Sequence, residues 1–257
     1  MKPPVIDEAF LEAEASKYLT RKERKQKKKT RTTGGYRQPV IPSLCNISPK
    51  TAAQRIAFEA FHSDRNLILH GCAGTGKTFI ALWLSMNAMI SGDAPKPIVI
   101  LRSVVPTRDI GFLPGNAKDK AAVYENPYQG IISEVCDKPY DWLKQNGYIQ
   151  FDTTSFLRGL TFRDNIIIID ECQNMSDHEI HTVMTRVGEG CRVIFCGDFT
   201  QKDYTREGSG MPNLLKIAAQ MKSFDIVKFD KNDIVRSGFV KDYIITRTEL
   251  EERGIIA

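Results

Sequence analysis

From residue 49 onward the chain alternates short apolar runs with longer amphipathic stretches. NLILH (66–70), PIVILRS (97–103), YIQFD (148–152), NIIIID (165–170), RVIFCGD (192–198) and FDIVKFD (224–230) are rich in β-branched and aromatic residues and predict strands. Most of these runs do not alternate with polar positions, so both faces of the sheet are expected to be covered. The stretches between them predict helices. SPKTAAQRIAFEAF (48–61) places Pro49 just inside a Ser48 cap, and KTFIALWLSMNAMIS (77–91) opens straight from a glycine turn. A further helix is expected around residues 129–144, after a long irregular region from 106 to 128. SDHEIHTVMTRVG sets Ser176 and Glu179 in capping-box register and ends at Gly188. Strands and helices in alternation predict an α/β fold with a mainly parallel sheet flanked by helices.

The length, 257 residues with 42% hydrophobic and 26% charged, suits one large α/β domain with a tail, or two small domains. No apolar run approaches the roughly 18 residues of a membrane span, and the charged N-terminus has no signal-peptide pattern. A cytoplasmic protein with no membrane partner is the expectation. Cys45, Cys72, Cys136, Cys172, Cys191 and Cys196 form no C-x-x-C pair and are expected to be buried reduced thiols. His178 and His181 stand three apart without a Cys or carboxylate at metal-ligand spacing, so they read as helix-surface residues.

Charge changes the picture at one end. Residues 17–37 hold ten Lys or Arg and one acid, a local +9 against +5 for the whole chain, which leaves −4 for the remainder. Such an arm attracts polyanions through counterion release. A short acidic helix is expected ahead of it in residues 1–16, and the Thr33-Gly34-Gly35 break with Pro39 and Pro42 marks the boundary. The expected division is an arm, 1–44, and a folded domain, 45–257.

The candidate chemistry centres on GCAGTGKT, a full match to G-x-x-x-x-G-K-T between a strand and a helix. Gly71, Cys72, Ala73, Gly74, Thr75 and Gly76 would turn backbone N–H groups onto phosphate oxygens, aided by the helix N-terminus. Lys77 would reach the β- and γ-phosphates, and Thr78 would offer its hydroxyl to Mg2+. NIIIIDECQN ends a buried run in Asp170, placed to hold Mg2+ through its water shell, and Glu171, placed to orient or deprotonate a water. A small-molecule kinase seldom carries a second carboxylate beside its metal ligand, so the pair favours hydrolysis. VIFCGDFTQKD ends in Gly197-Asp198, with Gln201 placed to touch a γ-phosphate.

GCAGTGKT, GFLPG with Lys118 and Lys120, FLRGLTF, IIIIDECQN, TRVGEGCRVIFCGDFTQKD and DIVRSGFV stand in the order seen in PhoH-like P-loop ATPases. The chain resembles that family over residues 48–243, and its length is similar to the short bacteriophage members. The resemblance implies ATP as cofactor with Mg2+, a RecA-like sheet similar to superfamily 1 helicases, and ring-like self-association, a hexamer being the candidate ring. It also implies RNA or single-stranded nucleic acid as partner, and for a phage-encoded chain the host cytoplasm. Lys77, Thr78, Asp170 and Glu171 keep their roles, and Gln201 becomes the γ-phosphate sensor. Gln54 falls where helicase-like proteins place an adenine-reading glutamine. Arg158 and Arg236 match family arginines; either could stabilise the γ-phosphate from its own or a neighbouring subunit, with a surface salt bridge as the alternative for each. Cys72 replaces the usual proline, Cys172 the usual alanine, and Leu160 a frequent arginine. The nuclease-type domain of some longer relatives has no room, and ribonuclease activity is not implied.

The segment 104–130 mixes Arg108, Lys118 and Lys120 with Phe112, Tyr124 and Tyr128. That mixture suits stacking on single-stranded nucleic acid, or a subunit interface. Two readings of the whole follow: an ATPase motor acting on RNA or single-stranded DNA, and a nucleotide-gated oligomeric scaffold without motor activity.

Overall fold

Apolar runs of five or six residues dictate the sheet. The computed structural model describes residues 41–92, 96–103, 117–154, 161–198 and 209–256. Six strands, β1 (Asn66–Gly71), β2 (Ile98–Arg102), β3 (Ile149–Thr153), β4 (Ile166–Asp170), β5 (Arg192–Gly197) and β6 (Phe224–Phe229), form one sheet of order β3-β2-β4-β5-β1-β6. Every pairing is parallel, with Ile98 opposite Ile166 and Leu67 opposite Ile194. Period-two geometry sorts the apolar run of each central strand onto two faces. Leu67, Leu69, Ile98, Ile100, Ile166 and Ile168 enter one core, and Ile68, Val99, Leu101, Ile167 and Ile169 the other.

Helices cover both faces. The first core packs against α1 (Ala52–His62), α2 (Lys77–Ser91), α3 (Ala117–Val135) and α4 (Tyr140–Gln145); the second packs against α5 (Asp177–Met184) and α6 (Met211–Ala218). A last helix, α7 (Gly238–Glu252), follows β6. Because all strands run one way, the ends of β1, β2, β4 and β5 lie along one edge, where open parallel sheets bind ligands. The α/β architecture with a parallel, helix-flanked sheet is as the pattern predicts.

Several boundaries differ from the sequence expectation. The cap of α1 is Thr51, whose hydroxyl accepts from the Gln54 N–H at 3.3 Å, and Ser48 and Pro49 lie outside the helix. The Gln54 side chain reaches back to the Lys50 N–H at 2.7 Å, which ties those residues down as a lead-in. The expected irregular region ends early: α3 starts at Ala117 and carries Pro127 internally. Pro127 removes one N–H donor and crowds the carbonyl of the preceding turn, a cost set against the burial of neighbouring Tyr128 and Ile132. The single helix expected over 129–144 is two, broken where Leu44 bridges Cys136 and where Pro139 bars its predecessor from helical geometry. The capping box at Ser176 and Glu179 is present, yet α5 stops at Met184. Beyond it the backbone turns to Phe162, which donates to the Arg186 carbonyl and accepts from the Gly188 N–H.

The cysteines carry no disulfide, but only Cys172 and Cys196 are buried; Cys45 is exposed and Cys72, Cys136 and Cys191 are half-buried. The expectation of uniformly buried thiols fails for four cysteines in loops or at element ends, whereas Cys172 in the turn after β4 and Cys196 within β5 are covered by the core. His178 and His181 are carried on α5 with His178 and His181 both exposed, as the spacing predicts. Among the described residues no helix is long and apolar enough to cross a membrane. The basic arm, the acidic helix of 1–16, Gln201, Arg158, Leu160, Arg108 and Phe112 lie outside the described residues.

Candidate nucleotide and metal site

The loop after β1 is built on glycine backbone. Gly71 has φ +123° and a Cβ there would collide with the Phe229 carbonyl of β6. Gly76, at φ +83°, caps α2 in the left-handed region, so the first-turn N–H groups of α2 face the loop without a side-chain cap. A helix N-terminus presented this way favours anions.

Lys77, only 6% exposed, spans that loop. Its ammonium donates to the carbonyls of Cys72 at 2.6 Å and Gly71 at 3.2 Å and to the Thr75 hydroxyl at 3.3 Å, and pairs with Asp198 Oδ1 at 2.5 Å. Asp198 caps the end of β5. The sequence pattern marks it only as a strand end, with no chemical role.

The end of β4 supplies the carboxylates. Asp170 is 5% exposed and both its oxygens are engaged: Oδ1 accepts from the Thr78 hydroxyl at 2.9 Å and Oδ2 from the Tyr128 hydroxyl at 2.8 Å. Burial pushes the Asp170 carboxyl above the ordinary carboxylate range, opposed by the Tyr128 bond. Burial also drives the Tyr128 phenol far upward, so it stays a protonated donor. Glu171 sits at φ +53°, a left-handed conformation that costs a residue with a Cβ roughly 1 kcal/mol or more. One of its oxygens accepts from Gln173 Nε2 at 2.6 Å; the other lies 3.8 Å from the Arg102 guanidinium. Gln173 in turn accepts from the Asp198 N–H at 3.2 Å, so one amide ties Glu171 to the end of β5.

Gln54 lies on the other side of the loop. It is buried, donates to the Thr75 carbonyl at 3.1 Å, and accepts from Lys50. It therefore holds the phosphate loop against the chain ahead of α1. Arg236 follows Val235, whose N–H donates to the Gly74 carbonyl at 3.1 Å, and its own side chain stays exposed. A cavity of about 380 Å³ gathers Gln54, Gly74, Gly76, Lys77, Thr78, Asp170, Glu171 and Arg236. It also has an apolar wall, Ile47, Phe58, Phe79 and Ile131, which no motif announces. Those residues read as core in sequence, and nothing but the fold separates a wall from a core.

One expectation is overturned here. The residue mixture of 104–130 groups Tyr128 with side chains that stack on nucleic acid or bury in a subunit interface, but Tyr128 is 0% exposed and bonded to Asp170. A helical register that turns it inward, not a loop, explains the difference.

The donors fit a hard divalent cation. Among the described residues no group of three or more His, Cys, Asp or Glu could hold a metal ion alone. Thr78 and Asp170 instead offer one hydroxyl and one carboxylate, the set Mg2+ uses when phosphates complete its shell.

His70, next to the loop in β1, gives a pH test of this region. Its burial first, then Lys228 and Lys77, push the imidazole down to about 4. The folded value lies below the unfolded one of about 6.5, so on acidification the unfolded chain takes up its proton first. Stability is complete above about pH 6.5 and is lost as pH falls toward 4, by at most about 1.4 kcal/mol per unit. Replacing His70 with Gln is expected to flatten urea midpoints measured across that window.

Comparison with known proteins adds to this geometry. A family model described as PhoH-like protein matches residues 46–247. A PhoH-like protein of Bacillus subtilis (strain 168) is 30% identical over 204 residues, covering 77% of this chain and 63% of that protein. Protein PhoH of Escherichia coli (strain K12) is 31% identical over 200 residues, 74% of this chain and 55% of that protein. The chain thus spans less than two thirds of the length of these relatives. Among solved structures, the large terminase from a thermophilic bacteriophage superposes with TM-score 0.50 at 14% identity, over 76% of this chain and 50% of that one. The terminase shares the fold alone.

Proposed function

From the premise that the chain belongs to the PhoH-like protein family, we propose that it binds ATP with Mg2+ and hydrolyses it. One observation carries this reading: the Lys77–Thr78 loop and the Asp170–Glu171 pair meet in a single cavity, with Thr78 bonded to Asp170. Thr78 and Asp170 would hold the cation, which would supply positive charge to offset that of the nucleotide phosphates. Lys77 exchanges part of its contact with Asp198 and the loop carbonyls for phosphate oxygens. Glu171, fixed by Gln173 and faced by Arg102, accepts the proton of the attacking water. Arg236 reaches the phosphates from its own chain, Arg158 and Gln201 fill their family roles, and Gln54 sets the loop and meets the base.

Hydrolysis is coupled in this reading to RNA or single-stranded nucleic acid in the cytoplasm. The basic arm 1–44 is the polyanion contact, the 45–257 domain the motor, and a ring of copies the assembly. The residues of 106–128 other than Tyr128 remain candidates for the same contact. ATP turnover measured with and without single-stranded RNA and DNA tests it, and stimulation of several-fold is expected. Deleting residues 1–34 is expected to weaken binding of a fluorescent oligonucleotide at low salt, because ten Lys or Arg against five acids, a net +5, leave with that stretch, and to spare basal turnover. Turnover that no nucleic acid alters would favour the nucleotide-gated scaffold instead.

A further inference from the structure

The structure assigns Tyr128 to a positioning role: its hydroxyl makes Asp170 a one-oxygen ligand, and this selects Mg2+ over Ca2+. The inference rests on the ATP–Mg2+ reading of the site. A free carboxylate can grip a cation with both oxygens. In Asp170 the buried Tyr128 hydroxyl takes Oδ2 at 2.8 Å, which leaves Oδ1, the oxygen beside the Thr78 hydroxyl at 2.9 Å, to face the cation.

The phenol has nowhere else to go. It is fully buried, its ring lies 5.7 Å from Phe151, and the Arg102 guanidinium of β2 stands 6.0 Å from its centroid. A cation that took both oxygens would strand a buried hydroxyl without an acceptor, a costly loss. Ca2+ takes six to eight oxygens and often binds carboxylates through both of them. Mg2+ keeps most of its water and needs one carboxylate oxygen or only a bond through that water. An aspartate held edge-on by a buried phenol suits the second ion. Groups that orient a metal-holding side chain commonly change affinity by about 10–100-fold when removed.

The test is the affinity of a fluorescent ADP analogue during titrations with Mg2+ and with Ca2+. The wild type is expected to need at least ~10-fold less Mg2+ than Ca2+ for half-maximal tightening. Changing Tyr128 to Phe removes one oxygen and keeps the ring. It should raise the Mg2+ requirement about 10-fold, raise the Ca2+ requirement less, and leave metal-free ADP affinity unchanged. Phe151→Leu loosens the ring's packing without touching its hydroxyl and should keep the wild-type ion ratio, which remains measurable even if the Tyr128 variant does not fold. An unchanged ratio in the Tyr128 variant, equal support of the wild type by both ions, or the same collapse in Phe151→Leu overturns the inference. A wild type that binds no ADP with either ion overturns the ATP reading itself.

Discussion

Replacing Glu171 with Gln is expected to lower ATP turnover by about 10²–10⁴-fold while leaving nucleotide affinity close to that of the wild type. The amide keeps the size of the carboxylate, and its oxygen can still accept from Gln173, which donates to the native carboxylate at 2.6 Å. It cannot take a proton from water. Binding should survive because the proposed phosphate contacts are those of Lys77, Thr78 and the N-terminus of α2, none of which uses Glu171. The Arg102 guanidinium loses its charged neighbour at 3.8 Å, a contact too long and too exposed to dominate the result. Phosphate release and ADP-analogue binding measured on the same preparation decide the matter. Turnover equal to the wild type would place the base elsewhere and remove hydrolysis by this pair from the proposal.

Replacing Gly71 with Ala is expected to cost about 3 kcal/mol or more of folding stability, read as a shift in urea midpoint. Two penalties combine there. A φ of +123° is a region that residues with a Cβ rarely adopt, and the new methyl would drive into the Phe229 carbonyl. That carbonyl cannot yield without breaking the bond it accepts from the Cys72 N–H at 3.0 Å, the first link of the phosphate loop to β6. Gly130→Ala is the control: it lies in α3 with nothing within 4 Å of its Cβ position, so alanine there should stabilise by up to about 1 kcal/mol. Equal midpoints for both variants would mean that the β1–β6 junction is softer than its packing indicates.

Strand order apart, the sheet was readable from sequence because a buried parallel strand has few alternatives. Four isoleucines in a row before Asp170 fit neither a surface strand nor an amphipathic helix. The glycine turn between β1 and α2 was readable because glycine spacing, lysine and threonine together favour one strand–turn–helix geometry. The helices were harder. In α7, Phe239 and Tyr243 face outward, so no apolar stripe announces it. In α3, Pro127 reads as a stop signal, and only tertiary burial of Tyr128 shows otherwise. Tyr128 and Arg102 reach the site from elements that lie far from the motifs in sequence, and a lone tyrosine or arginine carries no pattern. Gln173 stood inside a recognised motif, yet its two hydrogen bonds, donated to Glu171 and accepted from the Asp198 N–H, depend on β4 and β5 being neighbours.

The strand order has a consequence for how this protein can diverge. β5 lies between β1 and β4, so the glycine loop after β1 and Asp170 at the end of β4 start two strand spacings apart, about 9.6 Å. Backbone hydrogen bonds fix that gauge, and no side chain can lengthen or shorten it. Apolar residues on the two faces can therefore be exchanged over generations, with gains and losses of stability, while the spacing of the reacting groups stays constant. Mutational drift in the interior and precision at the sheet edge are decoupled. Sequence divergence among chains of this fold should accordingly alter how long they survive heat well before it alters the spacing at the sheet edge.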